Sequence, residues 1–75
     1  EVILYPNPAS SYLHVESKEN QISRIEILDF LGRVVYFEKG HANLWQISLP
    51  NVTKGMYILK YTIEGKVYQK PIILM

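Results

Sequence analysis

The sequence predicts an all-β domain, a small seven-stranded antiparallel β-sandwich of immunoglobulin-like type. Three observations carry that expectation. Strand-like apolar runs recur with turn signals about every eight to twelve residues. Apolar residues within the runs alternate with polar ones. No stretch of the 75 residues shows a helical period.

The runs cover residues 2–5, 12–16, 22–29, 33–38, 44–49, 56–64 and 66–74. The first ends at Pro6-Asn7-Pro8. Each proline there holds φ near about −65° and supplies no N–H, so the strand stops and a stiff turn follows through Ser10 and Ser11. In the second run Leu13 and Val15 oppose Tyr12, His14 and Glu16; in the third Ile25 and Ile27 oppose Arg24 and Glu26. Residues 29–32, with Gly32 at the end, turn the chain into the fourth run, which Arg33 opens. A polar connector containing Gly40 is expected over 39–43, and a longer crossing between sheets over 50–54.

Alternation is clearest in the sixth run. Tyr57, Leu59, Tyr61 and Ile63 form one face, expected to be core, and Met56, Ile58, Lys60, Thr62 and Glu64 form the other. Glu64-Gly65 reads as a tight hairpin, with Gly65 supplying a positive φ. Pro71 cannot donate to a ladder, so the last run is read as an edge strand that leaves an unpaired edge near the C-terminus. One buried face per strand implies two packed sheets.

Composition narrows function. A chain this short holds a single core and reads as one domain, 1–75. Eight basic against seven acidic side chains give no broad field for a polyanion, which disfavours nucleic acid. No apolar run approaches the roughly 18 residues of a membrane span, so direct membrane insertion is not expected. Cysteine is absent. His14 and His41 lack a second ligand at metal-binding spacing. Asp29, Ser23, Ser48 and His14 are scattered polar residues rather than a triad. The glycines at 32, 40, 55 and 65 sit singly between strands and build no phosphate loop. The reading is therefore a non-enzyme with no cofactor and no metal.

Two arrangements invite closer reading. Trp45, Tyr36, Tyr68 and Tyr12 offer rings for stacking on sugars or bases, although cross-strand packing is the favoured role. Gly55 precedes Tyr57 by two residues at a strand start. There a missing side chain lets another backbone approach, and an inward tyrosine sets its hydroxyl on a nearby carbonyl, by analogy with a tyrosine corner.

The order and spacing of these marks carry a resemblance. Tyr5-Pro6-Asn7-Pro8-Ala9-Ser10 looks like a family opening. Ile25-Glu26-Ile27-Leu28-Asp29-Phe30-Leu31-Gly32-Arg33-Val34-Val35 looks like its central block, and Ile47-Ser48-Leu49 with Gly55-Met56-Tyr57-Ile58-Leu59 like its closing block. Jointly they make the chain resemble the type A C-terminal sorting domain of the type IX (Por) secretion system. Val52 stands where the family usually has leucine, and Pro71-Ile72-Ile73-Leu74-Met75 follow Lys70 with no terminal charge.

The resemblance implies a compact sandwich at the C-terminus of a larger exported cargo in a Gram-negative bacterium, from which this chain reads as excised. Partners would be the outer-membrane translocon, which recognises the folded domain, and a cell-surface sortase, which removes it by a cut upstream of Glu1. Many such cargos are then joined to anionic lipopolysaccharide, so the cargo is secreted or surface-attached. Residues expected to carry recognition or the motif are Pro6, Asn7, Pro8, Gly32, Arg33, Gly55, Tyr57, Lys70, Ile72, Ile73 and Leu74. An apolar terminal strand with an open edge would meet the translocon by strand addition, with Lys70 as a charged tag. In isolation the same edge predicts a weak strand-exchanged dimer. The rival reading is a non-catalytic accessory sandwich that binds carbohydrate or another protein.

Overall fold

A computed structural model describes residues 2–49 and 53–75. Its seven strands are β1 (Val2–Tyr5), β2 (Tyr12–Ser17), β3 (Ile22–Leu28), β4 (Val34–Ala42), β5 (Leu44–Ser48), β6 (Gly55–Ile63) and β7 (Lys66–Leu74). They form two antiparallel sheets, ordered β1-β2-β5 and β4-β3-β6-β7. In the constant-type immunoglobulin sandwich the fourth strand lies beside the fifth; here it stays beside the third. The turn from β3 to β4 is tight enough to keep the two strands neighbours, so the expected immunoglobulin-like sandwich forms with this one change.

The core lies between the sheets and follows the alternation. Leu13 and Val15 from β2, Ile25 and Ile27 from β3, Ile47 from β5, and Tyr57, Leu59 and Tyr61 from β6 are all buried. Ile63 packs against them at the margin. The β6–β7 hairpin closes with Ile63 opposite Lys66. Both of its turn residues have positive φ, 51° at Glu64 and 79° at Gly65, the backbone of a type I′ turn whose twist suits antiparallel strands.

The expected connector over 39–43 is not a connector. β4 continues through Lys39 and Gly40 to Ala42, and only Asn43 separates it from β5. Two contacts make this corner. Trp45 is buried at 7% exposure with its ring against Gly40, where an added Cβ would stand 3.2 Å from the ring. The indole N–H of Trp45 also donates to the carbonyl of Ala42. Asn43 is held by β2: its carbonyl accepts from Ser17 N–H at 2.7 Å, and its amide donates to the Ser17 carbonyl at 3.0 Å. Gly40 thus lies inside a strand, as does Gly55, rather than between strands.

The crossing expected over 50–54 does carry the chain from the three-stranded sheet to the four-stranded one. Its residues 50–52, Val52 included, lie outside the described residues.

Candidate recognition end

The Pro6-Asn7-Pro8 motif and the C-terminal tail meet. Both Tyr5-Pro6 and Asn7-Pro8 peptide bonds are cis, and the motif delivers Ala9 into a parallel bridge with Leu74. Ala9 N–H donates to the Ile73 carbonyl at 2.9 Å, and Met75 N–H donates to the Ala9 carbonyl at 2.8 Å. The side-chain oxygen of Asn7 accepts from Ile73 N–H at 3.3 Å. Ala9 is buried, and its small side chain suits the place.

These bonds correct the expectation of an open edge at the C-terminus. β7 is an edge strand, as Pro71 predicted, but its last residues are covered. The outward backbone groups of Ile73 are occupied by Asn7 and Ala9. By the antiparallel alternation the next outward groups belong to Pro71, Gln69 and Val67. Ile72 and Leu74 are core residues, and of the three apolar tail positions only Ile73 presents its side chain to solvent.

The central motif builds a turn around one carboxylate. Asp29 accepts from Leu31 N–H at 2.9 Å and from Arg33 N–H at 2.8 Å through one oxygen, and from the Arg33 guanidinium at 2.7 Å through the other. Gly32 has φ 85°, which closes the turn. The Arg33 backbone N–H, helped by its guanidinium and the Leu31 N–H, holds the Asp29 carboxyl below the usual range. The turn thereby pushes Phe30 and Leu31 outward, 87% and 75% exposed.

The third motif is a tyrosine corner. The buried Tyr57 hydroxyl donates to the Thr53 carbonyl four residues upstream, the arrangement that marks the start of the sixth strand in immunoglobulin-like sandwiches. Gly55 has φ 151° with nothing within 4 Å of the Cβ position. Its requirement is conformational, and the expected close approach of another backbone is absent.

All three motifs gather at one end of the sandwich. Gly55 is opposite Leu74, which bridges Ala9, while Leu28, just before the Asp29 turn, is opposite both Val34 and Ile58. An open hollow of about 420 Å³ there is lined by residues of two motifs, among them Leu31, Arg33, Gly55, Met56 and Tyr57. Lys70, opposite Leu59 on the sheet, shares a second hollow between β1 and β7 with Asn7 and Pro71.

Of the side chains weighed for chemistry, His14 and Ser48 share a shallow hollow on the three-stranded sheet, and Ser23 and Asp29 lie elsewhere. Ser23 donates to the Thr62 carbonyl and Asp29 is committed to Arg33. His14 lies on the outer face of the three-stranded sheet, stacked on Tyr5 at 4.9 Å and bonded to Gln46. The four rings weighed as a platform are dispersed: Trp45 is inside, Tyr36 packs at the core margin with its hydroxyl donating to Glu38, Tyr68 stacks on Tyr61, and Tyr12 meets His14 edge-on. Among the described residues no three acidic or imidazole groups cluster to hold a metal.

The sequence reading missed the apolar surface at the motif end. Phe30, Leu31, Val34 and Met56 are all more than half exposed. The available signal was Met56 and Ile58, two apolar residues on the outward set of an otherwise polar alternation.

Fold and motif arrangement define a small immunoglobulin-like domain whose distinctive residues gather at one end of the sandwich. Residues 3–75 match the family model of the secretion system C-terminal sorting domain, and the chain belongs to that family, the type IX sorting domains. No curated protein matches. Among solved structures the chain is similar to PorZ, described as an essential bacterial surface component of the type IX secretion system of Porphyromonas gingivalis. The likeness has a TM-score of 0.76 at 16% identity and covers 99% of this chain but 11% of PorZ. At that identity it speaks for the fold, and the chain spans about a tenth of that protein's length.

Proposed function

We propose that this domain is the C-terminal export signal of a larger cargo. It folds after the cargo has crossed the inner membrane, is recognised in folded form by the outer-membrane translocon of the type IX system, and is then removed by a cell-surface sortase cutting upstream of Glu1. The cargo is left secreted or attached to the surface.

The observation that supports this reading is the convergence of the family motifs on one end of the fold, where the Asn7-Ala9 segment also covers the C-terminal tail. A label must present a fixed surface whatever cargo precedes it, and this end is fixed by backbone bonds from both termini of the domain. The cover over Ile73 also changes the route first expected: strand addition at Ile72 to Leu74 requires Ala9 to be displaced, so the folded end surface is the more direct feature to read.

The test is a reporter carrying an inner-membrane export signal at its front and these residues at its end, expressed in a type IX-competent bacterium. The reporter is expected outside the cell, lacking residues 1–75 by mass spectrometry. A reporter retained in the periplasm, or released with the domain still attached, overturns the proposal.

The accessory-module reading has one observation in its favour, a shallow hollow of about 380 Å³ on the three-stranded sheet lined by Tyr12, His14, Gln46 and Ser48. Retention of the domain on the mature product together with binding of soluble glycans would support it.

A further inference from the structure

We propose that the outer face of the four-stranded sheet, at the motif end, docks on a protein whose contact patch is apolar at its centre and acidic at its rim. This rests on the export reading and specifies the chemistry of the partner surface.

The register builds the patch. Val34 is opposite Leu28, Leu28 opposite Ile58, and Ile58 opposite Pro71, giving one apolar row across all four strands. Met56 opposite Ile73 makes a second row. These residues face away from the core: Val34, paired past a register shift, precedes Val35, which packs against the core, and the chain neighbours Ile27, Tyr57, Leu59 and Ile72 of the others are buried. Val34, Met56 and Ile73 are 52%, 57% and 45% exposed. An antiparallel sheet covered on one face ordinarily turns polar side chains to water on the other, and the far half of this face is mixed: Glu26, Lys60 and Gln69 share a row with Phe37, whose ring lies under the Arg24 guanidinium, and Val67 is opposite Thr62. A contiguous exposed apolar patch on a small soluble fold marks an interaction surface.

Charge selects the partner. Arg33, Lys54 and Asp29 line the hollow at the end of the patch, Lys60 and Glu26 stand opposite each other in the next outward row, and Arg24 opposite Lys39 lies one outward row further. Both acids are engaged, Glu26 by Arg24 at 3.3 Å and Asp29 by Arg33 at 2.7 Å. Among the described residues Lys39, Lys54 and Lys60 have no acid within ion-pair distance, so the rim offers cations to a carboxylate-bearing partner. A lipid surface fits less well. The patch is a flat sheet face without the Trp or Tyr that anchors proteins at a bilayer interface.

The test uses complete cargo in a type IX-competent cell, with a photo-crosslinking amino acid at position 56 and, as control, at position 12 on the other sheet. Position 56 is expected to give adducts with an outer-membrane translocon subunit and position 12 none. Lys60→Glu and Met56→Glu should each lower export about tenfold or more while the purified domain stays folded, with Lys60→Glu lowering the melting temperature slightly because it sets a second carboxylate opposite Glu26. Should Met56→Glu unfold, Lys60→Glu and the crosslinks decide. Equal adducts from both positions, adducts only with lipid or a second copy of the domain, or undiminished export of the folded Lys60→Glu variant overturn the docking face. If the unaltered cargo is not exported at all, the export reading itself fails.

Discussion

The backbone of Ala9 is joined to that of Ile73 by an N–H to carbonyl bond of 2.9 Å, and its own carbonyl receives the N–H of Met75. A segment from the start of the chain thus substitutes for the next strand at the end of β7. Edge strands expose unpaired backbone groups that invite association, and this family motif covers those of the tail within the same molecule.

Asn7→Ala removes the acceptor for Ile73 N–H. The expected cost is about 0.5–1.5 kcal/mol. Hydrogen exchange at Ile73 and Met75 should accelerate far more than exchange at Leu59. Uniform acceleration along the chain would contradict local release of the tail.

Ala9→Glu places a charge at a buried site and is expected to cost about 2 kcal/mol or more by denaturant titration. If the tail is displaced while the rest stays folded, self-association through the uncovered β7 edge follows, measurable by sedimentation. An unaltered midpoint would show that the Ala9 bridge contributes nothing.

Tyr57→Phe deletes the corner hydroxyl that donates to the Thr53 carbonyl. A loss of about 1–2 kcal/mol is expected in urea unfolding. Full stability would show that the corner is geometric and not energetic.

Gly55→Val is expected to cost about 1–3 kcal/mol because φ is positive there. The space beside it is open, so Gly55→Ala should already show most of that cost. A neutral alanine with a costly valine would point to crowding instead of backbone strain.

Asp29 supplies a pH dependence with a definite sign. Its folded carboxyl is held low, first by Arg33 N–H and then by the Arg33 side chain. The stabilisation is therefore complete above the unfolded value near about 3.9 and is lost as pH falls through the lower folded value. Unfolding midpoints of the protein should drop across that acid range, and Asp29→Asn should flatten this part of the profile. Parallel profiles for the two proteins would exclude the turn as its source.

Much of the fold is written in local pattern. Alternation in 57–63 assigns Tyr57, Leu59 and Tyr61 to the core because successive strand side chains point to opposite faces, and Glu64-Gly65 announces a hairpin because few residue pairs tolerate two positive φ values. The polar stretch 39–43 misled for an equally physical reason. Its place in β4 depends on Gly40 meeting Trp45, and on Asn43 meeting Ser17, contacts with residues five and twenty-six positions away in the chain.

The sequence by itself determined the strands, their inward faces, the turn chemistry at Asp29, Gly32 and Gly65, and the order of motifs that marks the family. The strands, faces and turns depend on neighbours a few residues apart, and the motif order is read directly along the chain. Only the tertiary structure decided that Asn7 and Ala9 close the edge beside Ile73, that the three motifs share one end, and that Val34, Leu28, Ile58 and Pro71 line up into an apolar row. Those relationships depend on strand register and sheet order, which are set by packing between residues up to 66 positions apart.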